Sequence, residues 1–210
     1  MPSRDTATGP VAIECWFEFG STYSYLSVMR IEDLARAAGV AVAWRPFLLG
    51  PIFRELGWNT SPFVLQEAKG RYMWRDMERQ CARLGLPWCK PSAFPRRALL
   101  PMRVASPAVH EPRMGAFCRR VMLQNWVEDR EIDDAQAVLD APDGLVPDAQ
   151  ALLDAAQAPE AKLRLRERTE AAAARGIFGA PTFFTGDEMF WGNDRLEEAI
   201  ACAGAGHGLP

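Results

Sequence analysis

The chain has 210 residues, about 1.4 times a typical domain, so one domain carrying a sizeable insertion is the expected architecture. Hydrophobic residues make up 49% and charged residues 24%, the balance of a folded globular protein, which excludes a disordered or collagen-like chain. The net charge is -3, with 24 basic residues dispersed among 27 acidic ones, which excludes the concentrated basic footprint of a nucleic-acid binder.

In chain order, 11–19 (VAIECWFEF) is an apolar run broken only by Glu14 and Glu18 and closed by Gly20, the pattern of a buried strand. Ser21 stands where a helix N-cap belongs. Beyond it Leu26, Met29, Leu34 and Ala38 recur at helical spacing up to Gly39, which predicts one helix. VAVAWRPF then alternates up to Pro46, giving a second strand parallel to the first and so a βαβ unit. From about Leu49 to Arg175 the periodicity is helical, in 69–85, 114–130, 133–141, 147–156 and 159–176. Proline punctuates the joints, and the segment from Pro95 to Pro112 reads as an ordered loop. After Gly176 the pattern returns to strand: IFGAPTFF, a turn at 186–188 and MFWG predict a hairpin. A closing helix starts at Asp194, whose carboxylate either caps that helix or faces outward for a ligand, and the tail AGHGLP is expected to fray.

The order β-α-β, helical block, β-β-α is that of an α/β thioredoxin-like fold with an all-helical insertion between its halves. Residues 11–48 and 176–204 form the thioredoxin-like domain, and 49–175 form the insertion. No apolar stretch approaches the roughly 20 residues of a membrane helix, and MPSRDTATGP lacks the apolar core of a secretory signal. No membrane association is expected, and the cytoplasm is the expected compartment. Cys15, Cys81, Cys89, Cys118 and Cys202 are odd in number and form no CxxC pair, so reduced thiols are expected rather than disulfides or structural zinc. With His110 and His207 as the only histidines, a histidine triad or metal cluster is poorly supplied, and no metal is expected.

In a thioredoxin-like fold the junction of first strand and first helix stabilises an anion, a thiolate above all. Here it reads Ser21-Thr22-Tyr23-Ser24, with hydroxyls where a dithiol oxidoreductase has two thiols. An unassisted serine is scarcely ionised at neutral pH, but it can donate a hydrogen bond to an external thiol such as that of glutathione and lower its pKa. The plain alternative is an N-cap. In GAPTFF, Pro181 facing that junction is expected to be cis, leaving the backbone of the preceding residue free for a peptide-like ligand. Its plain alternative is an edge-strand proline.

Together WFEFGSTYSYL, RPFLLG, KGRYMWRD, GIFGAPTFF and FWGNDRL resemble the 2-hydroxychromene-2-carboxylate isomerases of the DsbA-like and kappa-class glutathione transferase group. The resemblance runs from about Ala12 to Ile200 and is weakest over 92–112. It implies glutathione as cofactor and a small aromatic substrate, in the interconversion of 2-hydroxychromene-2-carboxylate and trans-o-hydroxybenzylidenepyruvate, a step of aromatic hydrocarbon breakdown. It also implies a homodimer, for which Cys81, Cys89 or apolar faces of the insertion offer surfaces. Residue by residue, it makes Ser21 the catalytic serine that holds the glutathione sulfur. Ala180, before Pro181, would pair with the cysteinyl unit through its backbone. Trp191, Gly192, Asn193 and Asp194 would hold the γ-glutamyl end, where a carboxylate suits the α-ammonium group. Asn59 would also contact glutathione. Arg54 would favour the thiolate and meet a substrate carboxylate, and Phe53, Trp88 and Phe94 would wall an aromatic substrate. Two departures stand out: Thr22 replaces the usual proline after the serine, and Ala180 replaces the usual valine. A kappa-type transferase shares the same thiol site and is the first alternative. A noncatalytic thioredoxin-fold binding module is the second.

Overall fold

The computed structural model describes residues 12–106, 113–141 and 148–206. His110, His207, the end of the tail, and the part of the expected Pro95–Pro112 loop beyond residue 106 lie outside them. The chain order is β1 (Ala12–Phe17), α1 (Thr22–Val28), α2 (Ile31–Ala37), β2 (Ala41–Pro46), then eight helices. These are α3 (Leu49–Glu55), α4 (Pro62–Leu65), α5 (Glu67–Leu84), α6 (Leu99–Ala105), α7 (Met114–Trp126), α8 (Ala135–Asp140), α9 (Ala149–Gln157) and α10 (Pro159–Ala174). The hairpin β3 (Thr182–Thr185) and β4 (Glu188–Trp191), a 3-10 turn at Asn193–Arg195 and α11 (Leu196–Gly204) complete it.

The sheet order is β2-β1-β3-β4, with β1 parallel to β2 and antiparallel to β3, and β4 antiparallel to β3. This is the thioredoxin-like arrangement with the helices inserted between its halves. Side chains alternate across each strand, so one sheet face gives Cys15, Phe17 and Phe183 to the main core with Tyr25, Leu26 and Trp126. The other face gives Trp16 and Phe184 to a second cluster with Phe47, Ile52, Ala172 and Ile177 beneath α3 and α10. The main core thus bonds the thioredoxin half to the insertion: Asn125 Nδ2 and Trp126 Nε1 on α7 both donate to Phe19 O, each at 3.1 Å, which fixes the chain two residues before Ser21.

Two sequence expectations are corrected. The single helix after Ser21 is two, because Arg30 turns its side chain back: its Nε takes the Leu26 carbonyl at 3.2 Å, while its own N–H bonds to Ser27 O at 3.0 Å. Its guanidinium reaches on to Asn193 Oδ1 at 3.0 Å and Glu197 at 2.9 Å, so the break is also a clasp to the C-terminal half. The segment expected as loop from Pro95 contains α6. Pro101 stands in the first turn, where its missing N–H costs nothing, and Asp133 accepts the Leu100 N–H at 2.7 Å. Of the two roles left open for Asp194, its side chain does not cap the closing helix; it lies in the 3-10 turn with its carboxylate facing outward.

Candidate functional site

A cleft of about 610 Å³ opens between the C-terminal end of β1 and the helices that follow β2. Its floor is the strand-helix junction. Ser21, with extended backbone at φ -88°, caps α1: its Oγ accepts from Ser24 N at 3.2 Å. The same hydroxyl donates to Ala180 O at 2.9 Å across the junction. The Ala180–Pro181 peptide is cis, and Pro181 O accepts the N–H of Gly192 at 3.0 Å, which ties the proline loop to the end of β4. Among the described residues the Ala180 N–H has no hydrogen-bond partner, and Ala180 lines the cleft. Thr22 is buried and donates to Met73 Sδ on α5 at 3.3 Å, so it braces the junction against the insertion.

The walls come from both halves. Phe53, Arg54 and Asn59 from α3 and its following loop, Phe94, and Trp191 all line the cleft. Trp191 is 52% exposed, stacks obliquely on Phe178 at 4.8 Å and lies against Gly179, where any side chain would collide with its indole. Phe53 packs on Trp58 at 5.7 Å. The Phe94–Pro95 peptide is a second cis bond on the rim, a feature the sequence reading did not pick out.

Other expected residues stand elsewhere. Trp88 does not line the cleft: it stacks on Trp126 at 5.8 Å with Trp74 and Tyr25 beside it, an aromatic core beneath α5 and α7. Asn193 is buried, accepting from Ser27 Oγ at 3.1 Å and from Arg30, so it joins α1 to the C-terminal half. Gly192 has φ 106°, the region that favours glycine, and a side chain there would meet the Asp194 carboxylate. Asp194 is exposed, 3.7 Å from Arg195, and its charge is felt by the Tyr23 hydroxyl, which lines the cleft.

The cleft also contains residues that sequence reasoning passed over. Tyr23 donates to Asp76 at 2.9 Å, and burial and that carboxylate push its phenol upward, so it stays neutral. Arg96 is buried but occupied by Asn125, Ser92 and Asp129; Arg97 is exposed with Asp133 at 3.6 Å. Lys69 lies 5.7 Å over the Phe63 ring. Arg54 has no ion-pair partner among the described residues. Glu18, three residues before Ser21, is the carboxylate among these cations. Burial pushes it up to about 7, against the opposing effect of the Leu49 N–H. The visible signal was a lone charge at the end of an apolar strand.

No cysteine lines the cleft. Cys15, Cys81, Cys118 and Cys202 are buried, and burial pushes the first three thiols up, Cys81 to about 11. The second hydroxyl of the junction, Ser24, is buried beneath α1. The site therefore offers a hydroxyl, a free peptide edge and surplus positive charge. This arrangement suits an anionic, peptide-like ligand. No helix among the described residues is long and apolar enough to cross a membrane, and no group of metal-ligating side chains occurs among them.

Residues 12–200 match the DSBA-like thioredoxin domain. The 2-hydroxychromene-2-carboxylate isomerase of Pseudomonas putida is 30% identical over 185 residues, covering 88% of this chain and 90% of that protein. Human glutathione S-transferase kappa 1 is 28% identical over 202 residues, covering 90% of this chain and 88% of that protein. A solved 2-hydroxychromene-2-carboxylate isomerase superposes with a TM-score of 0.83 at 26% identity, over 92% of this chain and 95% of that one.

Proposed function

Because the chain belongs to the DSBA-like thioredoxin-domain family, and within it to the 2-hydroxychromene-2-carboxylate isomerases, we propose that this enzyme of the isomerase type works through glutathione. Its reaction is the interconversion of 2-hydroxychromene-2-carboxylate and trans-o-hydroxybenzylidenepyruvate or a close aromatic relative. The observation that carries this reading is the Ser21 hydroxyl, held in the cleft between the α1 amide of Ser24 and the carbonyl of the cis Ala180–Pro181 peptide, where no thiol of the protein is present.

Glutathione, when bound, supplies a sulfur nucleophile that makes the substrate's double bond rotatable and is regenerated at the end. Ser21 turns its O–H from the Ala180 carbonyl to the sulfur and favours the charged form. The N–H and C=O of Ala180 are the backbone groups for the peptide portion of the ligand. Arg54, free of an ion pair, balances negative charge on thiol and substrate, and Phe53 and Phe94 give the aromatic ring an apolar wall. Developing oxyanion charge on the opened ring is stabilised by the same guanidinium.

The test is the ultraviolet difference spectrum of bound glutathione near about 240 nm, where thiolate absorbs, across pH in wild type and Ser21→Ala. A depressed thiol pKa that returns toward its free value in the variant supports the reading. Binding without a thiolate band, or no binding, overturns it. The likeness to kappa-class transferase favours a second reading in which the thiol is consumed. Counting free thiol during turnover separates the two, since an isomerase returns every equivalent.

A further inference from the structure

The cleft poses a question that the serine does not answer: a thiol that becomes a thiolate must give its proton to something, and Ser21 is a donor, not a base. Glu18 lies in the same cleft, and its main-chain oxygen accepts the Ser21 N–H at 3.1 Å, so the acid and the serine are held in one short turn. The Leu49 N–H at the start of α3 faces its carboxyl. Among the described residues no ion pair is formed with it by the charged groups of the surrounding elements. Arg54 of α3 is unpaired, Lys69 of α5 lies over Phe63, Arg96 is taken by Asp129 and Arg97 faces Asp133. Tyr23 of α1 is neutral and bound to Asp76. A carboxylate inside a cleft with no cation to satisfy it is costly to keep charged. Burial accordingly raises its affinity for a proton to near neutrality, to about 7.

Resting on the glutathione reading, we propose that Glu18 is the base that receives the thiol proton when glutathione enters the cleft. The S–H bond breaks, an O–H bond forms on the Glu18 carboxylate, and the electron pair stays on sulfur. One negative charge moves from oxygen to sulfur and the total charge of the site is unchanged. The neutral acid no longer repels the thiolate, and it returns its proton when glutathione leaves. A free glutathione thiol, with a pKa of about 8.5, is close enough to Glu18 for this transfer to be easy once Ser21 holds the sulfur.

The experiment measures proton release on glutathione binding, with a pH indicator in weak buffer, while thiolate absorbance is followed in the same cuvette. In wild type at pH 8, Glu18 begins charged, and the thiolate formed beside it raises its proton affinity above that of the empty cleft, so the proton stays and thiolate should form with release near zero. At pH 6, Glu18 is already protonated, and release should rise toward one proton per site. Glu18→Gln should release close to one proton at both pH values. Thiolate formation with full release from wild type at pH 8 overturns the proposal and leaves the glutathione reading intact. Absence of the thiolate band in wild type overturns both. Should Glu18→Gln not fold, the change in wild-type release between pH 6 and pH 8 decides the matter alone.

Discussion

Glu14, within β1, and Glu18, just beyond its C-terminal end, are treated by the protein in opposite ways. Glu14 is partly buried, which alone would raise its pKa. The Trp16 indole at 2.9 Å, Arg175 and Arg45 at 3.2 Å overcome burial and hold its carboxyl below the usual carboxylate range. Arg168 lies close enough for Glu14 to offset part of the burial and Arg45 repulsion that lower its own pKa. Glu18, beyond the strand's C-terminal end, has no such ring, and burial drives it up to about 7. One carboxylate holds two guanidinium groups, Arg45 of β2 and Arg175 at the end of α10, with Arg168 nearby. The other has the Leu49 N–H but no cation, beside Ser21. The difference separates a structural end of the sheet from a chemical end, by charge pairing rather than by residue type.

The variant with the largest expected effect acts at the chemical end. Ser21→Ala removes the hydroxyl aimed into the cleft, and turnover should fall by about 10²–10³, the scale for losing one such donor. Its stability should fall by only about 1 kcal/mol, the loss of an N-cap. Equal losses in both would make Ser21 merely structural. Trp88→Ala should do the reverse. Its ring stacks on Trp126 within the aromatic core, so unfolding free energy should drop by about 3 kcal/mol while the thiol pKa of bound glutathione stays unchanged. A shifted thiol pKa with unchanged stability would return Trp88 to the cleft wall.

Glu14→Gln sharpens the comparison from the structural end. It strips the carboxylate from Arg45 and Arg175 and should cost about 2 kcal/mol, below the full figure for a buried pair because Glu14 is 26% exposed. The pH profile carries the sign. A glutamate whose folded pKa lies below its ordinary value near 4.5 adds stability that is complete above that value and lost as pH falls through the folded pKa. Glu18, raised to about 7, works oppositely: its contribution weakens as pH rises from about 4.5 to 7. Chemical denaturation from pH 3 to pH 8 should therefore show Glu14→Gln with a shallower acid limb than wild type. An unchanged acid limb would mean that the arginine ring does not stabilise the carboxylate.

The fold was legible because its signals were local and periodic. The alternation of VAVAWRPF, the helical spacing of 69–85 and 159–176 and the GDE turn each correspond to an element of the structure. The failures came where a distant residue decides a local outcome. Arg30 splits a helix because Asn193 and Glu197 receive its guanidinium, and α6 begins because Asp133 reaches back to Leu100. Neither contact can be read from neighbours in sequence. At the site, the motif residues Ser21, Ala180 and Trp191 and the wall residues Phe53, Arg54, Asn59 and Phe94 do share one cleft. Trp88 does not, since an aromatic residue in a loop carries no sign of which way its ring will pack. Glu18 was visible as a charge ending an apolar strand, but its importance depends on none of the cations around it forming an ion pair with it, which only the packing reveals.

The smallest expected effect tests the rim. Asp194 is 76% exposed in its side chain, makes only a 3.7 Å contact with its neighbour Arg195 and caps no helix through its side chain. Surface pairs of this kind contribute about 0–1 kcal/mol, so Asp194→Asn should leave the unfolding midpoint within error of wild type. Its carboxylate is nevertheless close enough to act on the Tyr23 hydroxyl inside the cleft. If it receives the α-ammonium of glutathione, the variant should bind glutathione a few-fold more weakly, a loss of about 1 kcal/mol for an exposed charge-assisted contact. The thiol pKa should not move, because Asp194 handles the end of the ligand away from sulfur. Calorimetric titration with glutathione and with a des-amino analogue decides it: the variant should close the gap between the two ligands. A gap that persists in Asp194→Asn would leave the ammonium to another group and make Asp194 an ordinary surface residue.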